Sequence, residues 1–212
     1  MTVEQKYETL TKALITNHIT ISTMESCTSG SIASLITDTE GASAVFEGSF
    51  VTYSNQAKIM CGVPSSIIDT YGVYSSQTAE AMALCALIAF QTDVAVGVTG
   101  SFGNIDPANE DSVPGHVYYS IANRVGCPYS IHPCRTPQGK AFRCPTVAKV
   151  PLASKLADGT LARCYTKKET ETFSIVLDSL QSRYEYKRKL ADDIADRLLD
   201  LILRQKSSQA SD

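Results

Sequence analysis

A serine, a tyrosine and a lysine stand close together in the stretch GASAVFEGSFVTYSNQAK, which runs from Gly41 to Lys58. A hydroxyl nucleophile needs a base, and a lysine can serve when burial or nearby positive charge lowers its pKa. Tyr53 could relay the proton or orient the serine. The spacing therefore admits a nucleophile at Ser43 with Tyr53 and Lys58 as its activating groups. It equally admits a polar-edged strand and turn.

The segments that must position these groups alternate between helical and strand-like patterns. Apolar spacing and capping residues predict helices at 3–17, 29–38, 54–62, 64–72, 75–91 and 184–205. Alternating or continuous apolar runs predict strands at 19–25, 45–53, 93–100, 116–123 and 171–178. This alternation predicts an α/β fold, a three-layer α/β/α sandwich with one central, largely parallel or mixed sheet.

Three polar clusters each follow a predicted strand: ESCTSGS, YSNQAK and TGSFGN. Ligands of such sheets collect at the carboxyl ends of the strands, so we expect the clusters to face one crevice. In the first cluster, free N–H groups at a helix start and the hydroxyls of Ser26, Thr28 and Ser29 could bind a phosphate or carboxylate. A helix cap and tight turn explain the same residues. The third cluster, beginning at Thr99, lacks the Gly-Lys-Ser/Thr ending of a P-loop.

Composition indicates a globular protein and excludes several other classes. Apolar residues make up 43% and charged residues 19% of the 212 residues. No apolar run reaches the ~20 residues needed to span a bilayer, and the N-terminus lacks a signal-like apolar core. We therefore expect a cytoplasmic protein with no membrane association. Seven cysteines, an odd number without a signal peptide, argue against a disulfide framework.

A basic segment at about 124–168 differs from the rest of the chain. It holds nine Lys or Arg residues, one acid and five prolines, on a chain of net charge −3. We interpret it as an insertion between two strands whose positive charge could attract an anionic ligand. The pI of the whole chain, about 5.6, argues against nucleic-acid binding. Its four cysteines lack the close pair of a structural zinc site, and we expect no metal.

Six blocks of sequence together resemble one known family. They are ESCTSGSIASLI, GASAVFEGSFVTYSNQAK, GV, YGVYSSQTAEAMA, AVGVTGSFGN and VPGHVYYSIAN. In order and approximate spacing they resemble the C-terminal domain of the competence/damage-inducible protein CinA, whose stand-alone bacterial versions are nicotinamide mononucleotide deamidases. The resemblance covers roughly 1–123 and resumes at about 169–205. We accordingly expect one domain over 1–205, containing the basic insertion, and a disordered tail at 206–212.

The resemblance implies an amidohydrolase that converts nicotinamide mononucleotide to nicotinic acid mononucleotide and ammonia, with no cofactor. It places the nucleophile on Ser43, with Tyr53 and Lys58 completing the catalytic set. Backbone N–H groups near Gly48 or the Thr99-Gly100 turn are candidates for stabilising the oxyanion. Phosphate and ribose contacts are expected from Ser26, Thr28, Gly30 and Thr99, and a further phosphate contact from Arg183. A homo-oligomer is also implied.

The chain departs from the family pattern at its glycine turns. Thr28-Ser29-Gly30 stands where the family has Thr-Gly-Gly, and Gly48-Ser49 where it has Gly-Gly. The expected catalytic residue types are retained. Two hypotheses therefore stand: a Ser/Tyr/Lys amidohydrolase, and a catalytically silent nucleotide-binding or regulatory module of the same fold. Ammonia release from the mononucleotide distinguishes them.

Overall fold

The computed structural model of the chain describes residues 1–103, 109, 112–124, 134–135, 141–142, 170–177 and 182–209. At 134–135, 141–142 and 205–209 only the backbone is described. The basic segment expected at 124–168 thus lies largely outside the described residues. Within it, Cys134–Arg135 (β5) and Ala141–Phe142 (β6) form a short antiparallel pair.

A mixed five-stranded sheet forms the centre of the protein, in the order β2-β1-β3-β4-β7. Strands β2, β1 and β3 run parallel, whereas β4 pairs antiparallel with both β3 and β7. The strands are β1 (Ile21–Glu25), β2 (Phe46–Val51), β3 (Val94–Gly100), β4 (His116–Asn123) and β7 (Thr170–Val176). The mixed sheet confirms the predicted fold class.

Helices cover both faces of this sheet and produce two hydrophobic clusters. On β3, Val94, Val96 and Val98 belong to one cluster and Ala95 to the other, as expected when successive side chains point to opposite faces. The first cluster includes residues of α1, α2 and α6, and the second includes residues of α4 and α5. The helices are α1 (Val3–Asn17), α2 (Ser31–Thr37), α3 (Asn55–Met60), α4 (Ser65–Tyr71), α5 (Ser76–Phe90) and α6 (Arg183–Gln209).

Helix α5 approaches the middle of the sheet more closely than a side chain would allow. A Cβ added at Gly97 of β3 would lie 2.3 Å from the backbone nitrogen of Ala83 and 2.4 Å from the carbonyl oxygen of Ala79. Ser75 begins α5 as predicted, with its hydroxyl accepting from the backbone N–H of Thr78. The centre of the sheet is therefore packed against helix backbone.

Helix α6 extends further towards the C-terminus than the helix predicted at 184–205. Helix α6 continues to Gln209, four residues into the segment for which we expected a disordered tail. Residues 206–209 contain no glycine or proline that would end a helix. Among the described helices, none is both long and apolar enough to cross a membrane.

Candidate active site

A buried serine and a buried lysine meet at the carboxyl edge of the parallel strands. Ser26 follows β1 directly, and Lys58 lies in α3, which follows β2. Lys58 Nζ donates a hydrogen bond to Ser26 Oγ at 3.0 Å and another to the Thr52 carbonyl oxygen at 2.9 Å. Lys58 is 1% exposed and Ser26 is 4% exposed. A nucleophile within hydrogen-bond reach of its base has this geometry.

The path of the chain after β2 brings Lys58 to this position. The Thr52 N–H donates to the Glu25 carbonyl oxygen at 2.8 Å, which keeps the chain beside the end of β1. Ser54 then begins α3, and its Oγ accepts from the N–H of Ala57 at 3.1 Å. One turn of helix therefore separates the strand end from Lys58, whose side chain reaches back to the strand.

The turn after Ser26 holds the serine against the sheet. The Ser26 N–H donates to the Val98 carbonyl oxygen of β3 at 3.0 Å, and the Ser29 N–H closes the turn on the Ser26 carbonyl oxygen at 3.1 Å. Ser29 has a left-handed φ of 55°, and Gly30 a φ of 86°. The left-handed backbone explains why glycine suits position 29. Because Ser29 is exposed, its side chain does not fill the turn.

The Glu25 carboxylate occupies the start of α2. It accepts from the N–H of Ala33 at 2.9 Å and of Ile32 at 3.2 Å, and the Ser31 N–H donates to the Thr28 carbonyl oxygen at 3.2 Å. Gly30, the N-cap residue of α2, has no side chain that could accept these hydrogen bonds. The free N–H groups expected there for an anion are therefore already bonded. This corrects the expectation of a phosphate site at the helix start beside Thr28 and Gly30.

Cys27 lies next to Ser26 but is unsuited to act as the nucleophile. Burial raises the pKa of its thiol to about 12, and the opposing charges of Lys58 and Arg183 do not offset that effect. A thiol of this kind stays protonated at neutral pH, whereas the thiolate is the reactive form. The serine is therefore the better nucleophile of the two.

Tyr53 and Arg183 meet above this pair, at the exposed rim. Arg183 Nη2 donates to the Tyr53 hydroxyl at 3.4 Å, and Nη1 donates to the Phe102 carbonyl oxygen at 3.3 Å. The guanidinium also lies 5.6 Å from the centroid of the Phe102 ring. Tyr53 is 64% exposed. Its hydroxyl thus contacts Arg183, and only its backbone carbonyl, at 3.4 Å, contacts Lys58 Nζ.

The structure does not bring Ser43 to Lys58. Ser43 is an exposed residue of a short 3-10 helix, Ala42–Ala44, that precedes β2. The Val45 carbonyl oxygen accepts from the N–H of Ile21, the first residue of β1. Ser43 therefore lies at the amino edge of the parallel strands. Strand β2, about 20 Å long at ~3.3 Å per residue, separates it from the opposite edge. The expected pairing of Ser43 with Lys58 is not formed.

The three remaining candidates make structural contacts. Thr99 Oγ1 donates to the Val73 carbonyl oxygen at 2.8 Å. A Cβ on Gly100 would lie 2.6 Å from Cα of Val117 in β4. Gly48 pairs with Ser22, near the start of β1, and a Cβ there would lie 2.4 Å from the Phe90 ring. Gly48 is thus remote from Ser26.

The sequence missed the roles of Glu25 and Phe102, which cap α2 and support Arg183. Glu25 ends β1 and Phe102 follows β3, and both strands are buried and parallel. Their position at the carboxyl ends of these strands was the signal in the sequence. Over the described part of the chain, no three His, Cys, Asp or Glu side chains form a metal-binding group. Of the four cysteines in the basic segment, Cys127, Cys144 and Cys164 lie outside the described residues, as does the side chain of Cys134.

Comparison with known proteins agrees with this architecture. The model of the CinA C-terminal domain matches residues 3–142. The chain belongs to this family. The match extends past residue 123, where we expected the resemblance to pause.

Two CinA relatives differ in how much of them the chain covers. It is 40% identical over 123 residues to the nicotinamide-nucleotide amidohydrolase PncC of Escherichia coli K12, covering 58% of this chain and 74% of PncC. It is 41% identical over 116 residues to a putative competence-damage inducible protein of Acetivibrio thermocellus, covering 54% of this chain. That match spans only 28% of the relative's own length, so the chain corresponds to about a quarter of it.

Solved structures of CinA proteins share the fold. A CinA superfamily protein from Klebsiella pneumoniae superposes with a TM-score of 0.69 at 15% identity, covering 96% of this chain and 99% of that one. A competence/damage inducible protein from Agrobacterium tumefaciens gives a TM-score of 0.64 at 25% identity, covering 92% and 95%. The first of these likenesses concerns the fold alone.

Proposed function

We propose that the protein is an amidohydrolase that deamidates nicotinamide mononucleotide, with Ser26 as nucleophile and Lys58 as its base. The observation that carries this proposal is the 3.0 Å hydrogen bond between Lys58 Nζ and Ser26 Oγ at a buried strand end. Removal from water favours the neutral form of a lysine, which is the form that accepts a proton. Ser26 replaces Ser43 in this role because only Ser26 reaches Lys58.

The reaction proceeds in two steps. Ser26 Oγ attacks the carboxamide carbon while its proton passes to Lys58, and the resulting tetrahedral intermediate expels ammonia after Lys58 returns the proton to nitrogen. Water then attacks the acyl-serine, Lys58 takes its proton, and nicotinic acid mononucleotide leaves as Ser26 is protonated again. Ser26 is only 4% exposed, and Tyr53 at the rim is 64% exposed.

The choice of substrate rests on PncC, the named amidohydrolase, and on the charge at the rim. Arg183 is a cation beside the crevice that can pair with a phosphate through charge-assisted hydrogen bonds. The helix start is occupied by the Glu25 carboxylate, which would repel a phosphate. We therefore assign Arg183 as the partner of the substrate phosphate. The exposed Tyr53, which contacts Arg183, is assigned to the same end of the substrate.

The silent module remains the second candidate because the reactive serine is nearly closed off from solvent. It predicts binding of the mononucleotide without turnover. The test is ammonia release from the purified protein and from Ser26→Ala, with binding followed by thermal shift. We expect release by the parent and none above background by the variant, which should still bind the mononucleotide.

Ser43→Ala supplies the matched control. It removes the same hydroxyl from the opposite edge of the sheet and should release ammonia at the rate of the parent. Binding without release by the parent protein would instead establish the silent module. Loss of activity in Ser43→Ala with activity retained in Ser26→Ala would reverse the assignment.

A further inference from the structure

Among the described residues, two buried hydroxyls on the segments around Ser26 and Lys58 have no hydrogen-bond partner. They are Thr28 Oγ1, in the turn two residues after Ser26, and Thr52 Oγ1, at the end of β2. Thr28 is 0% exposed and Thr52 is 1% exposed. Thr52 touches both sides of the site through its backbone, since its N–H bonds Glu25 and its carbonyl oxygen bonds Lys58 Nζ. Thr28 and Thr52 thus stand on the two segments that hold the serine and its base.

Burial of an unpaired hydroxyl disfavours folding, and most buried polar groups in proteins are paired. Other threonines of this protein follow that rule. The buried hydroxyl of Thr11 donates to the Ile36 carbonyl oxygen, and that of Thr99 donates to the Val73 carbonyl oxygen. Among the described residues, four further buried polar atoms also lack a partner: Tyr7 Oη, Ser31 Oγ, Arg124 Nε and Tyr186 Oη. Thr28 and Thr52 differ from these because they stand on the segments that hold Ser26 and Lys58, where a polar substrate would complete their hydrogen bonds.

We propose that Thr28 and Thr52 hydrogen-bond the scissile carboxamide and hold it against Ser26. Thr28 lies two residues after the nucleophile, and side-chain donors as well as backbone N–H groups can stabilise a developing oxyanion. Its hydroxyl donates to the carboxamide oxygen. The backbone carbonyl oxygen of Thr52 accepts a hydrogen bond from Lys58 Nζ, so we assign the Thr52 hydroxyl to the side of the base. There it accepts a hydrogen bond from an N–H of the leaving amide. This inference rests on the proposed amidohydrolase activity and extends it to two residues that position the reacting group.

Valine substitutions separate this role from a structural one. Thr28→Val and Thr52→Val keep the shape of the side chain and remove only the hydroxyl. Because neither hydroxyl is paired in the free protein, the melting temperature should stay equal or rise. We expect kcat for nicotinamide mononucleotide to fall about 10- to 100-fold in each variant, with KM changed less than threefold, since the bonds strengthen in the transition state.

Thr11→Val is the matched control, because its buried hydroxyl is paired and lies on α1. It should lower the melting temperature and leave kcat unchanged. A valine variant at position 28 or 52 that loses stability together with activity would show a structural role and overturn the proposal. Parent-like kcat in both variants would overturn it as well.

A second substrate distinguishes the two hydroxyls. The methyl ester of nicotinic acid mononucleotide has the same carbonyl but no N–H. On this ester the defect of Thr52→Val should shrink towards parent activity, while that of Thr28→Val should persist. Equal defects on amide and ester would overturn the assignment of Thr52.

Failure of the amidohydrolase proposal gives a different pattern. If the parent neither hydrolyses nor binds the mononucleotide, both proposals fall together. If the parent is active, Ser26→Ala is inactive and both valine variants match the parent, only the role of Thr28 and Thr52 falls.

Discussion

The two ends of the parallel strands each carry a serine, and their surroundings differ. Ser26, at the carboxyl edge, is buried and bonded by Lys58. Ser43, at the amino edge, is exposed in a single 3-10 turn. Lys58 is 32 positions from Ser26 along the chain, and Ser43 stands much nearer in sequence. In a parallel sheet, whether two residues meet therefore depends more on the strand end at which each lies than on the number of residues between them.

The edges also differ in which side chains they carry. At the amino edge, the Asp93 carboxylate accepts from the N–H and the hydroxyl of Thr20, both at 2.8 Å, and the Ala44 N–H closes the turn of Ser43 on the Gly41 carbonyl oxygen. At the carboxyl edge, side chains supply the partners: Glu25 bonds the start of α2 and Lys58 bonds the end of β2. Of the two serines, only Ser26 has a lysine amine against its hydroxyl, and the proposed reaction is therefore assigned to the carboxyl edge.

The largest expected effect comes from removing the base at the carboxyl edge. Lys58→Met keeps much of the buried stem and deletes the amine. We expect ammonia release to fall at least about 10³-fold, because Ser26 then has no group to take its proton. Initial rates at saturating mononucleotide measure the effect, and circular dichroism verifies the fold.

A double variant sharpens the same comparison. Lys58→Met combined with Ser26→Ala should be little worse than either alone, since the two residues act as one unit. Lys58→Met combined with Ser43→Ala should match Lys58→Met. If the fold-losses of Ser26→Ala and Lys58→Met multiply in the double variant, Lys58 is not the base for Ser26.

The next effect is on stability and involves Glu25. Glu25→Gln places an amide where the N–H groups of Ile32 and Ala33 need acceptors, so at least one of them faces a donor or a weaker, neutral acceptor. We expect the free energy of unfolding to fall by about 2 kcal/mol, the range for hydrogen bonds to a charged group. Urea denaturation measures this.

Glu40→Gln is the control for Glu25 because it changes the same group at an exposed site near the amino edge. Its stability should stay within about 0.5 kcal/mol of the parent. Equal losses in the two variants would mean that the Glu25 bonds add nothing beyond a surface charge.

The sequence predicted the fold because its patterns are local. Ser54 and Ser75 start helices as expected, and the three polar clusters share one edge because β1, β2 and β3 are parallel. The partner of Lys58 was not local. Ser43 precedes the strand predicted at 45–53 and Lys58 follows it, so the predicted strand itself separates the two residues. The Glu25 bonds to α2 were hidden, since they depend on a turn that folds a side chain onto backbone seven and eight residues ahead.

A smaller effect is expected at the rim, where Arg183 contacts Tyr53. Arg183→Gln should raise KM for nicotinamide mononucleotide about tenfold, or 1.4 kcal/mol, through loss of a charged phosphate contact. KM for nicotinamide riboside, which lacks the phosphate, should not change. Arg188→Gln is the control on the same helix, because Arg188 pairs with Glu4 instead. A similar rise in KM for both substrates would remove the phosphate from the role of Arg183.

The smallest expected effect is the absence of a reaction at Cys27. Its pKa of about 12, against an ordinary 9.0, makes the thiolate fraction at pH 8 ~10³-fold lower than in an unfolded chain. The folded protein holds this proton more tightly, so the associated stability is complete below pH 9 and is lost as pH rises towards 12. Iodoacetamide at pH 8 should leave the Cys27 peptide unmodified in the native protein and alkylate it in urea, as read by mass spectrometry. Cys85, also buried with a pKa of about 12, should behave alike although it lies on α5, away from the site. Selective labelling of Cys27 in the native state would show that the carboxyl edge opens in solution far more than its burial implies, while the remaining core stays closed.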